Sequence, residues 1–143
     1  MPYRFLEDAF TADVGFVASG ATLDECFAAA ADATLRVMLD NPASLQLREQ
    51  RQVRVEDDAL DLLLLKFLEE LVYLKDAEGL LLRPTSVQVT RRAPRWCVEA
   101  VLEGEGIDPA RHELSADVKA VTLHQLSVQR KDTGWEATVV LDI

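Results

Sequence analysis

The sequence is poor in the residues that build common catalytic and cofactor-binding motifs. Its 143 residues include two cysteines, two histidines and six glycines. There is no glycine-rich phosphate loop, no Cys-x-x-Cys pair and no zincin-type His-Glu-x-x-His helix. The histidines, His112 and His124, are isolated in the sequence. A cysteine hydrolase needs a base beside its thiol; Cys97 could meet His124 across strands, although nothing in the sequence requires it.

Basic residues and long apolar runs are also scarce. Fifteen lysines and arginines face 25 acidic residues, for a formal net charge of −10. That balance argues against unaided nucleic-acid binding, because neutralising phosphates needs clustered positive charge. The run Leu62–Leu65 is too short to span a membrane, and the acidic Glu7 and Asp8 argue against a signal peptide. With Cys26 and Cys97 expected as free thiols in apolar surroundings, we expect a cytoplasmic protein without membrane association.

The sequence does contain two amphipathic helical segments among alternating strands. Thr22 and Glu25 form a capping box, which predicts a helix from there to about Asp40. Acidic residues at 57–58 open a second helix that ends at Gly79, and its broad leucine-rich stripe predicts the centre of the core. Together with about six strands, these segments predict an α+β fold. Its two helices would pack on one antiparallel or mixed sheet, in a single domain covering the whole chain.

Two of the predicted strands have unusual patterns. Residues 45–55 carry polar side chains on both faces, which is typical of an exposed or edge strand. Residues 119–130 alternate at first, but the alternation slips partway along the segment. A bulge near His124 and Gln125 would explain the slip, and bulges often redirect a side chain.

The only basic cluster lies in the second half of the chain. It consists of four arginines without an intervening acid: Arg83, Arg91, Arg92 and Arg95. Such a cluster is typical of a solvated strand edge that protects a sheet from pairing with another chain. An RNA-contacting strip is the alternative, although the acidic balance of the whole chain weighs against it.

The final segment alternates up to the last residue. Ile143 shares the apolar face of the predicted strand at 134–143, and Asp142 lies on the other face. If Ile143 is packed, its terminal carboxylate is fixed one residue from the carboxylate of Asp142. A third carboxylate, Asp13, stands at the entrance of a predicted strand near the N-terminus. Three such oxygen donors suit a hard cation, with Ca²⁺ more tolerant of irregular geometry than Mg²⁺. The alternatives are a strand that simply ends and, for Asp13, a turn residue.

These segments resemble the archease family over nearly the whole chain. The most specific matches are the Thr-Ala-Asp-Val-Gly entry at 11–15 and the Val-Lys-Ala-Val-Thr segment at 118–122, followed by the Asp-Ile ending at 142–143. Further matches are the helix start at 20–27, the Leu-Glu-Glu-Leu segment at 68–71, Gly104–Glu105 and Arg111–His112.

The resemblance implies an accessory protein rather than an enzyme. Archeases are small cytoplasmic partners of the RtcB-type RNA ligase, which seals tRNA exon halves and broken RNA with GTP and a divalent metal. The family promotes guanylylation of the ligase and so supports multiple turnover in tRNA splicing and RNA repair. Its metal site maps onto Asp13, Asp142 and Ile143, with Ca²⁺ as the usual ion and Mg²⁺ or another divalent ion as the alternative. Lys119 and His124 lie in the other strongly matching segment and are further candidate functional positions, where Lys119 would neutralise the carboxylates or contact the ligase.

The sequence departs from the family pattern at one place, and two other functions are alternatives to ligase activation. The family often has an acidic residue and a histidine just before Thr-Ala-Asp, where this sequence has Ala9 and Phe10. A chaperone or specificity modulator of an RNA-modifying enzyme, such as a tRNA methyltransferase, is the first alternative function. A metal-dependent hydrolase is the second, although the sequence has no evident general base beside the carboxylates.

Overall fold

Two α-helices and eight strands make up the part of the chain that the computed structural model describes, residues 2–6 and 12–143. Every strand pair in these residues is antiparallel. In chain order the elements are β1 (Tyr3–Phe5), β2 (Asp13–Gly20), α1 (Leu23–Met38), β3 (Glu49–Asp57), α2 (Leu60–Glu78), β4 (Leu80–Arg92), β5 (Arg95–Gly106), β6 (Ala120–Val121), β7 (Ser127–Lys131) and β8 (Gly134–Asp142). A short 3₁₀ turn covers Pro42–Ser44.

The strands form two sheets. One sheet runs in the order β1-β2-β8-β6, with β7 also pairing with β8, and the other runs β3-β5-β4. The predicted α+β class with two helices is therefore confirmed, while the strands are divided between two sheets instead of sharing one. As its polar pattern predicts, β3 is an edge strand. Both helices contact strands of both sheets, so the core lies where helices and sheets meet.

The first helix begins at the predicted capping box. The hydroxyl of Thr22 accepts a hydrogen bond from the Glu25 amide at 3.2 Å, and the Glu25 carboxylate accepts one from the Ala21 amide at 2.8 Å. The helix is buried on more of its circumference than one stripe, because small side chains let neighbouring elements approach it closely. Those buried small residues are Cys26, Ala29, Ala30, Ala31 and Ala33.

The second helix is opened by an acid and closed by a glycine, as predicted. The Asp57 carboxylate accepts a hydrogen bond from the Ala59 amide at 2.9 Å. Gly79 adopts φ 66°, a left-handed conformation that favours glycine, and closes the last turn. Its leucine-rich stripe belongs to the core, with Leu63, Leu64 and Leu68 fully buried. Among the described residues, neither helix has the length and apolar character to cross a membrane.

The predicted strand at 119–130 is two short strands separated by a turn. Both pair with β8: Val121 lies opposite Leu141, and Ser127 lies opposite Thr138. Val121 and Ser127 are six residues apart in the sequence, whereas their partners on β8 are only three residues apart. The odd difference explains the slip in alternation, but the extra residues leave the sheet as a turn, which is a larger excursion than the predicted bulge.

Candidate functional site

Two of the predicted site residues, Asp13 and Asp142, lie directly opposite each other. They are the end pair of the β2–β8 ladder. Directly opposite residues of an antiparallel pair point to the same face, with Cα atoms about 4.5–5.5 Å apart. The adjacent pair, Val14 and Leu141, points to the other face and packs on the core. The sheet therefore places two carboxylates side by side on the face away from the helices.

Leu6 packs onto the same face next to this pair. Its amide donates to the Gly15 carbonyl at 2.9 Å, and its side chain lies over Gly15. A Cβ at Gly15 would come within 3.1 Å of the Leu6 Cδ1 atom. Glycine at this position therefore lets the Leu6 side chain lie close to the sheet.

The last residue extends the pairing beyond β8. The Ile143 amide donates to the Ala12 carbonyl at 3.0 Å. The Ile143 side chain is half-buried against the hydrophobic core, as its place in the alternating pattern predicts. These two contacts fix the main chain of Ile143 immediately after Asp142.

Lys119 approaches the same strand end through its backbone. Its amide donates to the Asp142 carbonyl at 2.8 Å, and the next residue, Ala120, lies opposite Asp142 in the β6–β8 ladder. The Lys119 side chain is exposed and forms no ion pair within the described residues. Neutralisation of the carboxylates by Lys119 thus stays a prediction.

His124 lies in the turn that leaves the sheet after β6. Its amide donates to the Thr122 hydroxyl at 3.2 Å, and that hydroxyl donates to the Val140 carbonyl at 2.9 Å. The turn is therefore tied to β8 two residues before Asp142. Cys97, in contrast, belongs to β5 of the other sheet, so it does not lie on a strand next to His124, and the possible pairing of the two across strands does not occur.

A buried lysine holds the segment that leads to Lys119. The Lys75 ammonium forms ion pairs with Asp117 and Asp76, and it donates to the Val118 carbonyl at 2.8 Å. Burial favours the neutral amine, but the two carboxylates outweigh it and raise the pKa of Lys75. This contact between α2 and residues 117–118 is not visible in the sequence pattern, because its partners lie far apart along the chain.

A second buried charge cluster closes the irregular segment after β5. The Glu105 side chain is only 6% exposed and accepts from Arg111, from the His112 ring Nε2 atom at 3.1 Å and from the Gln46 amide at 2.7 Å. The His112 Nδ1 atom accepts from the Asp108 amide at 2.8 Å, so Nε2 carries the proton. Burial alone would raise the pKa of Glu105; the donors outweigh it and lower it to about 2.

The two cysteines are free thiols, as predicted. Cys26 is fully buried, whereas Cys97 is only half-buried. Burial, reinforced by the negative charge of Glu136, raises the pKa of Cys26 to about 11. The Cys26 thiol therefore stays protonated and has a packing role.

The basic cluster surrounds the tip of the β4–β5 hairpin, with Arg83 further along β4. The Arg91 guanidinium stacks over the Trp96 ring at 5.2 Å, and Arg95 forms an ion pair with Asp58 at 3.3 Å. Both β4 and β3 are edges of their sheet, which agrees with the predicted protective role of exposed charge there.

The chemistry of the paired carboxylates fits a hard cation. Neither Asp13 nor Asp142 forms an ion pair within residues 2–6 and 12–143, so two like charges face each other without a positive partner there. No group of three histidine, cysteine, aspartate or glutamate side chains in those residues is arranged to hold a metal ion. The metal ligands implied by the resemblance are not three side chains. They are the side chains of Asp13 and Asp142 and the main-chain carboxylate of Ile143. Ala9 and Phe10 lie outside the described residues.

The chain is similar to known proteins over almost its full length. Residues 3–143 match the Archease protein family (MTH1598/TM1083). It is 37% identical to the protein archease of Pyrococcus abyssi over 134 residues, which cover 93% of this chain and 94% of that one. It is 32% identical to the protein archease of Methanopyrus kandleri over the full length of both.

Solved structures agree with these matches. The solution structure of Methanobacterium thermoautotrophicum protein 1598 superposes with a TM-score of 0.85, with 31% identity and 99% of both chains covered. A crystal structure from Thermotoga maritima, described as an archease and possible chaperone, has the same fold, with a TM-score of 0.61, 17% identity and 96% of both chains covered. Because the family match, the relatives and the fold agree, this chain belongs to the archease family.

Proposed function

We propose that this protein activates an RtcB-type RNA ligase by promoting guanylylation of the ligase, and that the strand end carrying Asp13 and Asp142 is the active surface. The observation that carries the proposal is the in-register pairing of these two carboxylates without a positive partner in the described residues. Membership of the archease family supports the choice of partner.

The residues of this site have distinct roles in the proposal. Asp13 and Asp142 supply side-chain oxygens, and the main-chain carboxylate of Ile143 supplies the third group. When bound, Ca²⁺ or Mg²⁺ would supply positive charge at this surface, where it could attract phosphate oxygens. The Leu6–Gly15 contact, the Ile143–Ala12 hydrogen bond and the packing of Ile143 orient the donors.

Activation of the ligase follows from differential binding. The accessory protein can shift the ligase toward a state that accepts GMP only as far as it binds that state more tightly than the other state. A tenfold stimulation of guanylylation through such a shift needs a difference of about 1.4 kcal/mol in binding free energy.

Multiple-turnover sealing by the cognate ligase tests the proposal. We expect Asp13→Ala and Asp142→Ala each to lower the stimulation at least tenfold, because each removes one of two facing carboxylates. Asp132→Ala is the matched control: it removes an exposed acid from the turn before β8, at the other end of the strand. Full stimulation by both site variants would contradict the proposal.

A C-terminal extension tests the main-chain donor. Adding one glycine after Ile143 moves the terminal carboxylate without changing any side chain, so we expect a loss of stimulation and weaker Ca²⁺ binding by calorimetry. If the extended protein keeps both its stimulation of the ligase and its Ca²⁺ affinity, Ile143 is not part of the site, and Asp13 and Asp142 remain its proposed ligands.

The same reagents separate the other functions. If the protein modulates an RNA-modifying enzyme, a pull-down from lysate with this protein would recover a tRNA methyltransferase and no ligase. A metal-dependent hydrolase would show turnover by the isolated protein that Asp13→Ala abolishes. Stimulation of the ligase without turnover by the protein alone is the result expected here.

A further inference from the structure

The turn between β6 and β7 places a large apolar side chain in solvent. Leu123 is 68% exposed, more than any other large hydrophobic residue that the structure describes. Its neighbours in the turn, Thr122, His124 and Gln125, are polar. We refer to residues 122–126 as the Leu123 turn. An exposed leucine is ordinary when it is isolated, so its surroundings decide whether it has a role.

The Leu123 turn is held in a defined conformation. The Thr122 amide and hydroxyl both donate to the Val140 carbonyl, at 3.0 and 2.9 Å, and the Leu126 amide donates to the Leu123 carbonyl at 3.2 Å. Gln125 has φ 55°, a left-handed conformation that disfavours residues with a side chain. The chain thus leaves the β8 ladder and accepts an unfavourable backbone conformation at a point where a regular strand would have continued.

The position of the turn connects it to the carboxylate pair. It is anchored on Val140, two residues before Asp142, and it follows directly after Ala120 and Val121, which pair with Asp142 and Leu141. The exposed leucine and the paired acids therefore belong to the same end of the same sheet. An apolar side chain surrounded by polar and charged groups has the arrangement of apolar centre and polar rim that is found at protein interfaces.

We propose that the Leu123 turn is a docking contact for the ligase, with the Leu123 side chain entering an apolar pocket next to the surface that Asp13 and Asp142 face. This inference rests on the proposed function and names a surface of that same interaction. The partner chemistry is an apolar protein pocket, because Leu123 offers no hydrogen-bonding group to nucleic acid. The contact supplies affinity and fixes orientation, whereas the carboxylates act at the ligase site.

Binding of the full-length protein to the ligase, measured by surface plasmon resonance, tests the docking contact. We expect Leu123→Ser to raise the Kd at least tenfold, while Leu123→Met, which keeps an apolar side chain, stays within threefold of wild type. Tyr73→Ser is the matched control, since Tyr73 is 61% exposed on α2 and lies in a different element. The Leu123→Ser protein should keep its melting temperature and its Ca²⁺ affinity, because the side chain contributes to neither.

The outcomes distinguish this inference from the proposed function. If Leu123→Ser binds the ligase as tightly as wild type does, the proposed docking contact is wrong, while the ligase stays the proposed partner. Equal weakening by Leu123→Ser and Tyr73→Ser would also overturn the inference, because the effect would not be specific to the turn. If wild type neither binds nor stimulates the ligase, the proposed function fails and this partner fails with it.

Discussion

Glu105 shows how a single buried charge can hold an irregular segment in place. Its carboxylate accepts from three donors, on Gln46, Arg111 and His112, which join the chain before β3 to the chain after β5. Buried carboxylates are costly unless their oxygens are paired, and here several donors share them. The lowered pKa of Glu105 expresses the preference of the folded protein for the ionised form.

Replacing Glu105 with glutamine should destabilise the protein and change its response to acid. Because hydrogen bonds to a charged group are lost, we expect Glu105→Gln to lower the free energy of unfolding at pH 7 by about 1–3 kcal/mol. The folded-state pKa of about 2 lies below the unfolded-state value, so the charge contributes stability above that unfolded value, and the contribution disappears as pH falls through about 2. Urea unfolding across pH 2–7 measures both effects.

Glu99→Gln is the control for this prediction. Glu99 lies on the same strand, but its side chain is 62% exposed and forms a 3.5 Å ion pair with Arg54. We expect a change below about 0.5 kcal/mol, since exposed pairs contribute little. A Glu105→Gln protein with wild-type stability and an unchanged acid response would show that the cluster does not hold the segment.

The sequence predicts some residue positions well and others not at all, for a physical reason. Asp13 and Asp142 stand out because each belongs to an alternating strand, and alternation determines which face a side chain occupies. Glu105, Lys75 and Leu123 depend on loop geometry and on partners distant in sequence. Local periodicity carries no information about such contacts. For the same reason, the sequence does not show that Arg111 forms an ion pair with Glu105 or that His112 hydrogen-bonds to it.

At the scale of elements, α2 controls the approach of residues 117–121 to β8. Lys75 is 8% exposed, near the end of the helix, and it bonds to Asp117 and to the Val118 carbonyl. The next amide, that of Lys119, donates to the Asp142 carbonyl. Loss of the first contact should therefore loosen the second, and with it the strand end that carries Asp142.

Lys75→Met should loosen this strand end selectively. Methionine keeps the apolar stem but leaves the buried Val118 carbonyl without its donor, which costs about 1–3 kcal/mol. We expect faster amide hydrogen exchange at Lys119 and Thr122, whose amides bond to β8, with little change at the centre of the β2–β8 ladder. Exchange monitored residue by residue by NMR measures this difference.

Lys66→Met provides the comparison for Lys75→Met. Lys66 is also on α2, but its side chain is 48% exposed and pairs with Asp57 at the beginning of the helix. The same substitution there should leave exchange at Lys119 and Thr122 unchanged. If the two variants behave alike, Lys75 has no special part in positioning residues 117–121.

Helix boundaries were predictable because capping and closing residues act locally. Thr22, Glu25 and Gly79 make their contacts within a few residues, so the sequence is sufficient to locate them. The division into two sheets was not predictable, since alternation marks a strand without naming its partner. For the same reason, one strand was predicted where the structure has β6 and β7. The two strands are separate because each pairs with its own stretch of β8, and local alternation does not show that pairing.

At the scale of the whole molecule, both helices join the two sheets. Alanine-rich α1 packs against β2 and β4, and α2 packs against β3, β4 and β5 as well as β6. Fully buried residues come from both helices and both sheets, including Phe16, Phe27, Phe67 and Leu102. A core shared in this way cannot be exposed on one sheet alone without removing packing from the other.

One tryptophan in each sheet makes the unfolding of the two sheets separately observable. Trp96 is on β5 and Trp135 is on β8, and both are half-buried against the core. In the variants Trp96→Phe and Trp135→Phe, fluorescence reports on one sheet at a time. Because the helices couple the sheets, we expect the fluorescence and far-ultraviolet circular dichroism transitions of each variant to coincide in urea, as for a two-state domain. Separate midpoints within one variant would show that one sheet opens first and that the helices do not couple them.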